Sequence, residues 1–128
     1  MEGEMNYARW LLFLVAATNA SAQDKNPYDG EWLIKIERNA YRGEADLTIT
    51  GTDGTYRRRL VGGKDDPCAK REIPITITKA TADELEYTIY GSKALAGCPD
   101  GQVTMKKAAD GTLEGSVSNG AKFKQIKK

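Results

Sequence analysis

The 128-residue chain contains no histidine, which removes Ser-His-Asp and Cys-His nucleophile systems and any histidine-ligated metal from consideration. Only two cysteines occur, Cys68 and Cys98, with neither a C-x-x-C spacing nor a D-x-[DN]-x-[DN]-G calcium loop anywhere. Neither sign of charge is in excess. The formal net charge is +1 and the pI about 7.7, so there is no electrostatic footprint for nucleic acid or an anionic membrane. Helical periodicity is missing too: no segment holds a 3.6-residue apolar repeat over three turns, and 79–84 could form at most a single turn. Internal repeats and low-complexity stretches are absent. Proline is sparse at 4 residues, whereas glycine is frequent at 13 and scattered singly, which suits many tight turns. At this length, 40% hydrophobic and 29% charged, the chain fits one globular domain.

The N-terminus reads as an export signal. Arg9 precedes the apolar run Trp10 to Ala17, followed by Thr18-Asn19 and the small-x-small triplet Ala20-Ser21-Ala22. That run is too short to span a bilayer, which argues against stable membrane insertion. Glu2 and Glu4 are unusual before such a run, and Met5 is an alternative start. Cleavage after Ala22 divides the chain into a signal peptide, 1–22, and a single domain, 23–128, that opens on the polar tail 23–27. Two cysteines delivered to an oxidising periplasmic or extracellular compartment have one way to pair, so a Cys68–Cys98 disulfide is expected.

From Asp29 onward the apolar period is two. Trp32, Ile34 and Ile36 share one parity, as do Ala45, Leu47 and Ile49, then Ile73, Ile75 and Ile77, then Leu85, Tyr87 and Ile89. A turn at Asp53-Gly54 leads into a strand over 56–61, and Val103 with Met105 follows a turn at Pro99-Asp100-Gly101. Leu113 and Val117 lie between Asp110-Gly111 and Asn119-Gly120, and Phe123 heads the last strand. Asp-Gly and Asn-Gly between alternating segments predict type I′ hairpins. Pro74 cannot donate to a ladder and predicts an edge or an irregular strand start. The fold class is therefore all-β: about eight short antiparallel strands forming an up-and-down barrel, with a two-sheet sandwich as the alternative.

Gly30-Glu31-Trp32 at the start of the first strand resembles the G-x-W signature of the calycin superfamily, which includes lipocalins, avidins and small periplasmic metalloprotease inhibitors. The resemblance implies that Trp32 closes one end of a barrel against a basic side chain near the last strand, with Lys122 or Lys124 in that role. It carries shape and transfers no ligand.

Within Arg57-Arg58-Arg59, strand alternation puts Tyr56, Arg58 and Leu60 on one face. If that face is inward, Arg58 needs a carboxylate or a bound anion to offset its desolvation; the simpler reading is a charged edge strand with Arg58 at the rim. Tyr56, Arg58 and Tyr90 are the candidate ligand-binding residues, although Tyr90 alternates out of phase with Tyr87 and should face outward. Tyr28 and Tyr41 fall in loops, and Asp65-Asp66 reads as solvated loop charge rather than a hydrolytic pair. The inward set of branched and aromatic residues predicts a filled interior. These observations favour an exported non-catalytic protein without a cofactor. It would bind a protein or glycan through its loops or tail, an inhibitor of an exported enzyme being one form. The alternative is a small-molecule or glycan carrier with a pocket near Tyr56, Arg58 and Tyr90.

Overall fold

A computed structural model describes residues 26–59 and 66–128. The expected signal peptide, 1–22, lies outside the described residues, as do Gln23 to Lys25, Leu60 and Asp65.

Eight antiparallel strands close into one up-and-down barrel, each paired with its neighbours in sequence. They are β1 (Gly30–Arg38), β2 (Tyr41–Thr50), β3 (Asp53–Arg58), β4 (Ile73–Ala80), β5 (Glu84–Tyr90), β6 (Asp100–Lys107), β7 (Leu113–Val117) and β8 (Lys122–Lys127). β8 returns to β1 with Trp32 opposite Lys127, Ile34 opposite Gln125 and Ile36 opposite Phe123. The only helix among the described residues is a single turn, α1 (Gly91–Ala94), between β5 and β6. The 79–84 segment forms the end of β4 and the turn into β5 instead. The barrel settles the choice against a sandwich and is consistent with a calycin-like shape.

Period-two alternation becomes burial directly, because successive side chains on a strand point to opposite faces. Trp32, Ile34, Ile36, Leu47, Ile49, Ile73, Ile75, Leu85, Tyr87, Ile89, Val103, Met105, Leu113 and Phe123 are all buried on the inner face. Ile77 is only half-buried, since the β4–β5 register slips between Ile77 and Lys79. Pro74 is not on an edge, because closure leaves none. It pairs with Thr55 of β3, and the ladder to β5 opens one residue later at Ile75, so its missing N–H falls before the first rung on that side.

The turns differ from the type I′ expectation. Gly111 and Gly120 have φ of +89° and +94°, while Asp110 and Asn119 before them do not enter the left-handed region. Each loop is instead a type I turn closed by a left-handed glycine, and the Asp110 and Asn119 carboxyl and amide oxygens accept from the N–H groups of Thr112 and Ala121. Asp53-Gly54 is the first pair of β3, the turn having shifted to Gly51-Thr52, and Asp100-Gly101 likewise opens β6.

One end of the barrel is plugged. Trp32 is 5% exposed, its indole Nε1 donates to the Tyr28 carbonyl at 2.9 Å, and the Tyr28 hydroxyl donates to the Thr81 carbonyl. Asn26 Nδ2 donates to the Gly51 carbonyl at 2.7 Å, so Asn26 to Asp29 form a cap rather than a free tail. The cation over the indole is neither Lys122 nor Lys124 but Lys127, with Nζ 4.9 Å from the ring centroid. Strand parity explains the difference. On β8, Phe123 and Gln125 point inward and Lys127 continues that face, whereas Lys122 and Lys124 point out.

Mid-barrel, the fully buried Tyr87 hydroxyl donates to Gln125 Oε1 at 3.2 Å, and Gln125 Nε2 has no partner among the described residues. Removing one member of a buried polar pair exposes the desolvation cost of the other, whereas replacing both can be nearly neutral. Gln125→Leu alone should cost about 1–3 kcal/mol in urea unfolding. Tyr87→Phe with Gln125→Leu should return to wild-type stability or above.

On the outer surface Asp46 accepts from Arg59 at 2.8 and 3.1 Å and from Lys128 at 2.7 Å, tying β2 to the chain end across β1. Hydrogen bonds from Arg59 and then Lys128 hold its carboxyl at about 2, against an ordinary value of 3.8. The folded value lies below the unfolded one, so this contribution is complete above pH 3.8 and is lost as pH falls through about 2. Urea unfolding across that window should show a smaller stability loss for Asp46→Asn than for the wild type.

Candidate ligand-binding site

Among the described residues the opposite end of the barrel is open, and there the expectation of a filled interior fails. A cavity of about 560 Å³ lies among the β1–β2, β3–β4, β5–β6 and β7–β8 connections. This falls inside the range of about 300–1,000 Å³ usual for small-molecule pockets. Small inward residues create it. Gly101 of β6 opposes Ile89 and Ala121 precedes β8, so large side chains on one strand meet little from the next, while the space inside Gly43 of β2, opposite Ile36, is taken by the Tyr41 ring. Gly101 and Ala121 share the parity of the buried residues that follow them, and that was the signal in the sequence.

The floor is apolar. Tyr56 and Phe123 stack with centroids 6.1 Å apart and planes 15° from parallel, with Ile36, Ile73, Ile89 and Val117 forming the walls. Tyr56 is 5% exposed, and its hydroxyl titrates well above the ordinary value because burial disfavours the phenolate, outweighing the nearby Arg58 cation. No described side chain hydrogen-bonds that hydroxyl.

Arg58 follows Tyr56 on the same face and stands at the mouth, its side chain 25% exposed. The carboxylate that an inward arginine requires is Asp66, 2.7 Å from a guanidinium nitrogen. Asp66 is thus a loop carboxylate, 38% exposed, that is ion-paired rather than free. Its other oxygen accepts from the Cys68 N–H at 2.9 Å, and these bonds, from Cys68 first and Arg58 second, lower its pKa. Burial alone would lower the pKa of Arg58; the hydrogen bond and charge of Asp66, with the Tyr41 hydroxyl adding to them, raise it overall. Tyr41, predicted in a loop, begins β2 and folds back over Gly43, where any Cβ would collide with its ring and hydroxyl. Gly43 thus admits the side chain that reaches Arg58.

Tyr56 and Arg58 are brought together, but Tyr90 does not join them. It lies on the outer face of β5, half-buried beneath Lys93, whose Nζ is 4.2 Å from its ring centroid, while its inward neighbour Ile89 lines the cavity. The residues missed by sequence reasoning are Tyr41 and Asp66, together with Arg38 and Asp100 on the rim. The mouth contains two arginines, Arg38 and Arg58, and two aspartates, Asp66 and Asp100, so the charges of its described lining cancel.

Cys68 and Cys98 form the expected disulfide, spanning 30 residues, with both cysteines on the cavity wall. The bridge joins the turn before β4 to the loop before β6, and it is the kind of link that an oxidising compartment sustains. Among the described residues no group of His, Cys, Asp and Glu could hold a metal ion, and no helix is long and apolar enough to cross a membrane. Compared with family models, curated proteins and solved structures, the chain matches none.

Closing a loop of this length should contribute about 3–4 kcal/mol in the chain-entropy picture. Urea unfolding of the Cys68→Ser/Cys98→Ser protein should show a loss of that order, with the far-ultraviolet β-signature retained in the absence of denaturant.

Proposed function

We propose that the domain is an exported, non-catalytic binding protein that takes one small molecule into the open end of its barrel. The observation that carries this reading is the cavity of about 560 Å³, apolar at its floor and polar at its rim. An apolar pocket with a few convergent polar groups is the usual form of a ligand site. Here the body of the ligand would lie against Tyr56, Phe123 and Ile89, and its polar end would meet Arg58, Tyr41 and Asp66. The absence of histidine from the chain and the use of both cysteines in a disulfide support a binding role over a catalytic one. A binder acting only through loops or tail, an enzyme inhibitor included, drew its support from a full interior, and Asn26 to Asp29 are used to cap the plugged end.

The test is a fluorescence titration with N-phenyl-1-naphthylamine, a neutral apolar probe that brightens on leaving water. One saturable site per barrel is expected. Ala121→Leu and Val117→Phe, which fill the cavity from separate positions, should each abolish that site while circular dichroism shows the barrel intact. Probe binding unchanged in folded forms of both variants would place the probe elsewhere and overturn the reading.

A further inference from the structure

An inward arginine at the mouth of an apolar pocket invites the assignment of an acidic ligand, and the geometry around Arg58 argues otherwise. We infer that Asp66 sets the charge class of the ligand, holding the Arg58 cation in balance so that the pocket selects a neutral amphipathic molecule over an acid. This rests on the cavity reading above.

The carboxylate is well anchored. One oxygen accepts from Arg58 at 2.7 Å and the other from the Cys68 N–H at 2.9 Å. The turn that carries it is closed by Ala69 N–H on the Asp66 carbonyl, pinned to β3 by Lys70 N–H on the Arg58 carbonyl, and cross-linked through Cys68 to Cys98. The backbone of Asp66 is thus fixed beside Arg58, and an incoming acid that displaced its carboxylate would have to break the bonds to Arg58 and to the Cys68 N–H. An acid reaching Arg58 would have to share one guanidinium with a fixed carboxylate, placing two like charges side by side in a partly buried site. Asp100, whose carboxylate accepts from the Ser92 N–H and hydroxyl, stands on the same rim as Arg38, so the formal charges of the described lining sum to zero.

A hydroxyl, carbonyl or amide meets no such opposition. The guanidinium has five N–H donors, so an acceptor can use those not engaged by Asp66. A donor can address Asp66 itself, and the Tyr56 hydroxyl is within the same lining. The fitting ligand is a flat apolar body with an uncharged hydrogen-bonding end. Asp66 acts through Arg58 and is a positioning and specificity-determining residue.

The experiment uses two probes that share one ring system, N-phenyl-1-naphthylamine and its sulfonate, 8-anilinonaphthalene-1-sulfonate. The oxidised protein should bind the neutral probe at least about tenfold more tightly, which corresponds to ~1.4 kcal/mol. Asp66→Asn keeps an oxygen for the Cys68 N–H and should shift the ratio of the two affinities about tenfold toward the sulfonate, the neutral probe being little changed. Adding Arg58→Met should take that gain away. Asp66→Ser also retains an oxygen acceptor in the turn and serves if the asparagine form does not fold. A wild type that binds the sulfonate as tightly as the neutral probe, or a ratio unmoved by either Asp66 variant, would overturn the role of Asp66 and leave the cavity reading standing. Binding of neither probe to the wild type would overturn both.

Discussion

The pairing of β8 with β1 is the constraint on which the rest of the structure depends. Once Trp32, Ile34 and Ile36 lie opposite Lys127, Gln125 and Phe123, no strand has a free edge, and every inward residue is committed to a shared interior. Closure also places consecutive hairpin connections at alternate ends. The β2–β3, β4–β5 and β6–β7 turns gather around Trp32 and Tyr28, and the other four connections gather around the cavity. One pairing thereby produces a sealed end and an open one. The asymmetry comes from side-chain volume: indole and phenol at one end, Gly101 and Ala121 at the other.

At the open end, polar chemistry is concentrated in one connected group. Tyr41 reaches Arg58 because Gly43 has no side chain, Arg58 meets Asp66, Asp66 caps the Cys68 turn, and Cys68 is bound to Cys98 across the mouth. A partly buried ion pair contributes little net stability, since desolvation and solvent screening offset most of its attraction. Its effect here is on geometry: a rim held in one arrangement presents fixed donors and acceptors to whatever occupies the pocket.

Much of this was legible in the sequence. Period-two alternation identified all eight strands and the parity of Tyr56 and Arg58, because burial on a pleated strand depends on parity alone. The lone cysteine pair had one possible connectivity. Parity does not say which residues meet across the barrel, and for that reason the cation over Trp32 was sought at Lys122 or Lys124 and found at Lys127. It also does not sum volumes, so a chain rich in isoleucine read as full although glycine and alanine occupy inward positions near the mouth. Asp66 was read only as loop charge because a loop residue has no periodicity; its pairing with Arg58 was fixed by the turn preceding β4. Tyr90 was given a place in the site by its nearness in sequence to the Cys98 loop, yet its own parity already put it outside.

Both ends of the described chain lie at the plugged pole. Asn26 bonds to Gly51, and Lys128 bonds through its backbone N–H to Glu31 and through its side chain to Asp46. A barrel held at Asn26 or at Lys128 therefore stands like a cup on its base, rim outward. Handles for immobilisation, fluorescent fusions or tandem copies can be attached there without crowding the opening, about the length of a β-strand away.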